Sequence, residues 1–424
     1  MDQLNTLRNI PLLVFTVIVD YIAMAMGYTI IPYLFFDSKH YTLVSQFSMH
    51  ERAILLGLVF SLSPLGRLIG GPIFGKLSDR FGRRKLLLIS TTMTMLSTLM
   101  TGLSISIYSL SLLLFARLCA GLFAGNIPVS QASLVDVSAE HNKTWRLNLL
   151  EMGMAAGLML GPLLGARMMS SQVVSWFNYS TPFFFVALAN LILILLLAAY
   201  FIETLPQAVL RTHEVQRVMG QVRNDQRARW FIGMKQLLLA FKTPRLRTLF
   251  IVWGLSMGGY TLYVEFFSGF LKQQLFFSPI QISNLSIAVA GCYIIYQACI
   301  VYPLSKRVAP HRLIKPSLML LGLLIFCMGF ARHESMLYLF RLTYEAAMVV
   351  FIPNFNAVIS SEATQTNQGQ AFGAMTAVYS LSSLLVGLVG GPLAAYSIAA
   401  PVVVGGALIM LSSGVLVAKY RAKG

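Results

Sequence analysis

A chain of 424 residues that is 57% hydrophobic and only 11% charged carries more apolar surface than one water-facing core can hide. That balance excludes an ordinary soluble domain, and lipid is the solvent it fits. The net charge of +17 would point to nucleic acid in a soluble chain, whereas between apolar runs it reports which loops face the cytoplasm.

About 20 residues of helix cross a hydrocarbon core of roughly 30 Å. Twelve apolar runs of that order occur, at 9–34, 52–74, 86–104, 106–133, 147–168, 181–202, 247–270, 281–303, 314–331, 335–358, 370–394 and 397–418. They predict an all-α membrane protein of twelve transmembrane helices in two six-helix bundles. The N-terminal bundle is expected over 1–202, a cytoplasmic central loop over 203–246 and the C-terminal bundle over 247–424. With the N-terminus in the cytoplasm, segments on that side hold 24 Lys and Arg, segments on the other side hold 5, and Arg67, Arg117 and Arg341 lie within spans. That bias places both termini inside. The first run, beginning at Ile10, is expected to be a retained helix rather than a leader. Cys119, Cys292, Cys299 and Cys327 fall inside spans without ligand spacing, so no disulfide framework and no metal site are expected.

Span 1 places Asp20, Met24, Gly27 and Tyr28 at helical spacing, with Tyr21 beside the acid. Such an acid either carries a proton or substrate contact or makes a structural polar contact. After span 2, Gly75-Lys76-Leu77-Ser78-Asp79-Arg80-Phe81-Gly82-Arg83-Arg84-Lys85 reads as a tight cytoplasmic turn. There Gly75 permits close helix approach, Gly82 allows positive φ, and Asp79 is placed to pair with a basic neighbour or a helix N-terminus. Arg117, on span 4, is costly in hydrocarbon unless it faces the interior and has a partner. Span 5 carries Gly153, Gly157, Gly161, Pro162 and Gly165, a stripe of small residues that lets a neighbouring helix come close. In the central loop, Val215 to Phe241 mixes basic and apolar residues as a helix lying on the inner leaflet would, and a solvated tether is the alternative.

In the second half Tyr260, Tyr263 and Glu265 lie on span 7, Tyr293 and Tyr296 on span 8, Arg341, Tyr344 and Glu345 on span 10, and Tyr379 on span 11. Glu265 reads either as a coupling or cation-binding group or as an outer-surface residue. Arg341 and Glu345, four apart, suit an ion pair along one helix. Asp136 and Glu151 sit near the cytoplasmic ends of spans 4 and 5. Burial raises a carboxylate pKa toward neutrality, which lets such a group take a proton from one side and release it to the other. The tyrosines, together with Tyr21 and Tyr28, offer a cavity lining of apolar area, hydroxyls and cation–π faces, or plain helix packing.

Four short matches relate the halves: Gly27-Tyr28-Thr29-Ile30 to Gly259-Tyr260-Thr261-Leu262, Leu77-Ser78 to Leu304-Ser305, Phe115-Ala116-Arg117-Leu118 to Leu339-Phe340-Arg341-Leu342, and Gly157-x3-Gly161-Pro162 to Gly387-x3-Gly391-Pro392. They keep one order, with offsets between 224 and 232. A duplicated six-helix unit is the parallel repeat expected where two halves rock about a central site.

The segment Gly75 to Lys85 resembles the signature loop of the major facilitator superfamily, and the twelve spans, paired halves and long central loop agree with it. The resemblance implies that Asp79 braces this loop against span 11 and helps set the balance of inward-open and outward-open states, with Arg80, Gly82, Arg83 and Arg84 completing the gate. The second-half counterpart, Tyr302 to Arg312, lacks the acid and both glycines. The span 5 glycines are similar to the antiporter motif of proton-coupled drug exporters, with Ala166 where a second glycine is usual. Arg117-x3-Gly121-x3-Gly125 is similar to the intramembrane arginine motif of the same transporters.

The expected function is therefore alternating-access transport of a small organic solute across a bacterial inner membrane, as proton-coupled efflux of a drug-like or siderophore-like compound. A proton-driven importer of a nutrient or metal chelate, and a non-transporting sensor of the same fold, are the alternatives. Asp20, Arg117, Glu265, Arg341 and Glu345 are the candidates for proton or substrate contact. The expected partners are solute, protons and lipid, for a monomer that binds no nucleic acid. No Walker loop, nucleophile elbow or metal-ligand cluster occurs, so neither a cofactor nor enzymatic chemistry is expected.

Overall fold

The computed structural model describes residues 8–37, 43–137, 140–205, 244–296, 299–300, 304, 307–362 and 368–419, with the backbone alone described at 72, 75, 76, 79, 140–145, 147–148, 294, 368–370, 372–373 and 419. All regular structure among the described residues is helical. The longer helices are α1 Asn9–Phe35, α2 Met49–Phe81, α3 Arg83–Ser106, α4 Leu110–Leu122, α5 Asn126–Asp136, α6 Glu140–Met168, α7 Thr181–Tyr200, α8 Pro244–Gln274, α9 Pro279–Tyr296, α10 Pro310–Met328, α11 Glu334–Glu362, α12 Gln368–Tyr396 and α13 Ala400–Lys419. Eleven stretches of the described residues are long and apolar enough to cross a bilayer, α4 and α5 together forming one of them. Helix α9 stands where the eighth span was expected, and residues 297–298 beyond it lie outside the described residues.

Hydrocarbon offers no partner to a free amide, so helices that satisfy their own backbone are the solution available to such apolar runs. Their internal hydroxyls are satisfied the same way. Thr16 donates to the Leu12 carbonyl at 2.8 Å, Ser61 to Gly57 at 2.7 Å and Thr91 to Leu87 at 2.8 Å.

Two expectations need correction. The segment 75–85 is not a loop. α2 runs on through Phe81, and only Gly82, at φ 95°, interrupts the helix before α3 begins at Arg83. Lys76 to Phe81 contains no residue that breaks a helix, so the helix ends at the first glycine that can reverse the chain. Span 4 is likewise not one continuous helix. It starts at Leu110 and breaks at 123–125 before α5. Gly125 caps α5, and Pro128 falls in its first turn, where its missing N–H costs nothing. The stretch Val215 to Phe241 lies outside the described residues.

The chain forms two compact units. One holds the described residues of Met1–Ile30 and Leu62–Trp230, the other those of Ile31–Ser61 and Phe231–Gly424. Within the first, α3 packs against α4, α5 and α7, and α6 lies along α1. Backbone meets backbone between α2 and α4: a Cβ at Gly121 would stand 2.0 Å from the Ser63 carbonyl oxygen, and Ser63 Oγ donates to the Arg117 carbonyl at 2.9 Å. Within the second unit α8 packs against α12 and α13, α10 against α11 and α13, and α9 against α11.

Candidate functional site

In the first unit, Asp20, Met24 and Gly27 share one stripe of α1, and each meets a polar group from another helix. Asn126, at the start of α5, donates from Nδ2 to Asp20 Oδ1 at 2.9 Å and to Thr94 Oγ1 at 3.3 Å. It accepts in turn from Thr91 at 3.4 Å. Arg67 of α2 brings Nη2 to 4.0 Å from Met24 Sδ and lies within electrostatic reach of Asp20. Arg117 of α4 lies over Gly27, where a Cβ would stand 3.0 Å from Nη1, so the missing side chain makes room for the guanidinium. Tyr28 is within reach of the same guanidinium. The buried Nε of Arg67 and that of Arg117 have no hydrogen-bond acceptor, and neither arginine forms an ion pair, among the described residues.

The span 5 glycines face α1. Added Cβ atoms would stand 3.3 Å from Val14 at Gly153, 2.6 Å from Tyr21 Cβ at Gly157, 2.5 Å from Ala25 Cβ at Gly161 and 3.0 Å from Met26 at Gly165. The stripe thus seats α6 on the helix that carries Asp20, and the stem of Tyr21 is held in that seam.

At one end of this unit the α2–α3 turn is tied by Glu203, which follows α7. Its carboxylate accepts from the backbone N–H of Arg83 at 2.8 Å and of Arg84 at 3.1 Å, and from its own neighbours Thr204 and Leu205 at 3.0 Å each. An anion at a helix N-terminus meets amides without intrahelical partners and the positive end of the dipole. Arg83 pairs through Nε with Asp136 at 2.9 Å and donates from Nη1 to Ser78 Oγ at 2.6 Å, and Arg84 Nη2 reaches the Ala198 carbonyl at 2.5 Å. Arg80 lies over the Phe81 ring at 5.4 Å. The side chains of Gly75 and Asp79 lie outside the described residues.

The second unit holds the other acids. Arg341 and Glu345 form an ion pair along α11, with the Arg341 guanidinium 4.5 Å above the Tyr344 ring. Tyr344 packs on Tyr263 at 5.7 Å between centroids, and Tyr263 on Tyr260 at 6.5 Å. Tyr263 and Tyr344 are each 1% exposed, so they are core side chains first. Tyr379 is within reach of Tyr260, and Tyr296 of Glu345. Tyr293 is half-buried on α9. Glu265 is not an outer-surface residue: it is fully buried on α8, and no donor reaches either carboxylate oxygen among the described residues. Leaving an ionised carboxylate so placed is costly.

Sequence reasoning placed Arg67 within a span without counting it among the candidates, and it missed Asn126 and Glu203. Arg67 had a usable signal, a full charge within an apolar run. Asn126 and Glu203 had none, because their roles come from helices 106 and 120 positions away in the chain.

The Major Facilitator Superfamily profile matches residues 13–273. The chain belongs to this superfamily. Its relatives include the "Multidrug resistance protein MdtG" of Salmonella paratyphi A, 27% identical over 346 residues that make up 81% of this chain and 78% of that protein. The protein of the same name from Enterobacter lignolyticus is 26% identical over 352 residues, 81% and 76% of the two chains. Among solved structures, a D-xylose–proton symporter aligns at TM-score 0.71 and 14% identity over 95% of this chain and 97% of its own. The human organic anion transporter MFSD10 aligns at TM-score 0.66 and 19% identity over 97% and 99%. These likenesses establish the shared fold. As a Major Facilitator Superfamily member, the chain is a multi-pass membrane transporter of small solutes.

Proposed function

We propose that this transporter exports a small organic solute across the bacterial inner membrane in exchange for protons, as a monomer with both termini in the cytoplasm and without enzymatic chemistry. The observation that carries the reading is Glu265, a fully buried carboxyl with no donor to either oxygen among the described residues. A group so placed holds a proton in a dry interior and gives it up when water or a cation reaches it, which is the behaviour an exchanger needs. Asp20 is the second candidate, already hydrogen-bonded by Asn126. The multidrug-resistance names of the relatives and the α6 glycine seam against α1 support export. Within the first unit the polar stripe of α1 is a candidate solute contact, and within the second unit the Arg341, Glu345 and tyrosine cluster is another. The turn at Gly82 to Arg84 acts as the conformational gate.

The test uses energised everted membrane vesicles containing the full chain and a panel of cationic, neutral and anionic compounds. Accumulation that collapses with a protonophore is expected for the native protein. Glu265→Gln is expected to abolish the energised part while leaving exchange down a solute gradient. Proton-driven uptake into right-side-out vesicles instead would establish import and overturn the direction. Unchanged energised accumulation by Glu265→Gln would remove Glu265 as the proton carrier.

A further inference from the structure

We propose that Arg67 and Arg117 together form an anion-binding subsite, and that the transported solute carries a carboxylate, sulfonate or phosphonate group. The inference rests on the reading of the interior as the solute pathway and adds the chemical class of what passes along it. Three observations lead to it. The two guanidinium groups, from different helices, face neighbouring positions of one stripe on α1: Arg67 at Met24 and Arg117 at Gly27. Three residues of helix advance about 4.5 Å along its axis, so Met24 and Gly27 are neighbours on that stripe. Neither guanidinium is fully satisfied. The Nε of each is buried without an acceptor, and neither forms an ion pair among the described residues. The nearby acid, Asp20, balances one positive charge and already accepts from Asn126, so one positive charge is left over at this depth.

An unpaired arginine within a membrane span is expensive and is retained where a substrate or a charge partner meets it. Each of these groups presents a planar fork of donors suited to an oxyanion. An anionic head accepting from both offsets the surplus positive charge and fills the empty donors. A purely cationic solute would find the opposite sign at this stripe. Gly27 contributes by its missing side chain, since a larger residue would meet the Arg117 fork and push it away.

The experiment uses the purified full chain in detergent, with benzoate and phenylphosphonate as anionic probes and benzyltrimethylammonium as a cationic probe of similar size. Saturable, anion-induced stabilisation of the native protein is expected, with no such response to the cation. Arg67→Gln and Arg117→Gln should each weaken the apparent Kd for the anions by about tenfold or more. The melting temperature of Arg117→Gln without ligand should stay level or rise, because it removes the interior charge that Asp20 does not balance. Arg67→Lys and Arg117→Lys, which keep the charge and lose the fork, should bind at intermediate strength. No anion response in the native protein, anion binding that survives both Gln substitutions, or a large loss of unliganded stability in Arg117→Gln would overturn the subsite. Energised vesicle accumulation of benzyltrimethylammonium with neither anion would leave the export reading standing and remove this inference. Arginine-dependent anion binding without energised accumulation would do the reverse.

Discussion

Gly82→Ala is the most direct probe of how the first unit holds its α2–α3 turn. The glycine sits at φ 95° and ψ 151°, a region reserved for glycine, and holding alanine there costs about 1–3 kcal/mol. The added Cβ would also stand 2.5 Å from Glu203 Oε2, so the carboxylate must move off the N-terminus of α3. Losing a cap costs about 0.5–2 kcal/mol, and the turn is expected to lose roughly 2–5 kcal/mol in all. At about 2–4 °C per kcal/mol for a unit of this size, the apparent melting temperature of the purified protein should fall by roughly 4–20 °C. The assay is thermal unfolding followed by tryptophan fluorescence, on the native protein, Gly82→Ala, Glu203→Ala and the double variant. With the carboxylate gone, alanine at 82 should retain only its backbone cost, so the two changes should be less than additive. A Gly82→Ala protein that melts within about 1 °C of native, or full additivity with Glu203→Ala, refutes the account.

Two further outcomes follow from the interior contacts. Arg341→Leu leaves Glu345 buried and alone, which should cost about 3–5 kcal/mol, whereas Arg341→Leu with Glu345→Leu should recover most of that stability; thermal unfolding of both checks it, and equal losses would contradict a mutually compensating pair. Gly157→Val drives a branched side chain into the Tyr21 stem and the Ile18 carbonyl, so it should destabilise by about 1–3 kcal/mol and displace Asp20; native-like melting and transport would contradict a tight α1–α6 seam.

The helical character and the approximate position of the spans were legible because lipid demands long apolar runs, and hydropathy records that demand directly. The α6 glycines were legible for the same kind of reason: spacing along one helix fixes which face they share. What could not be read was the pairing of faces. Asn126 looks like an ordinary polar residue near a helix break until α5 brings it to Asp20, and Glu203 looks like the first residue of a linker until it closes over the start of α3. Positively charged sequence over 75–85 hid the continuation of α2, since charge density suggested solvent while the absence of a breaker before Gly82 already favoured helix. For Glu265, a position late in its span left depth undecided, and only the packing of α8 shows that no water-facing surface reaches it.

The joint at Gly82 also bears on what the gene can tolerate. Two helices of 33 and 24 residues meet across one non-helical residue, so the chain there has no slack to absorb an inserted or deleted codon. A single added residue would rotate α3 by about 100° about its axis and carry its buried serines and threonines, Ser90, Thr91 and Ser97 among them, away from their neighbours. Length at this point is therefore under tighter constraint than side-chain identity, and reporter tags or protease sites belong elsewhere in the chain.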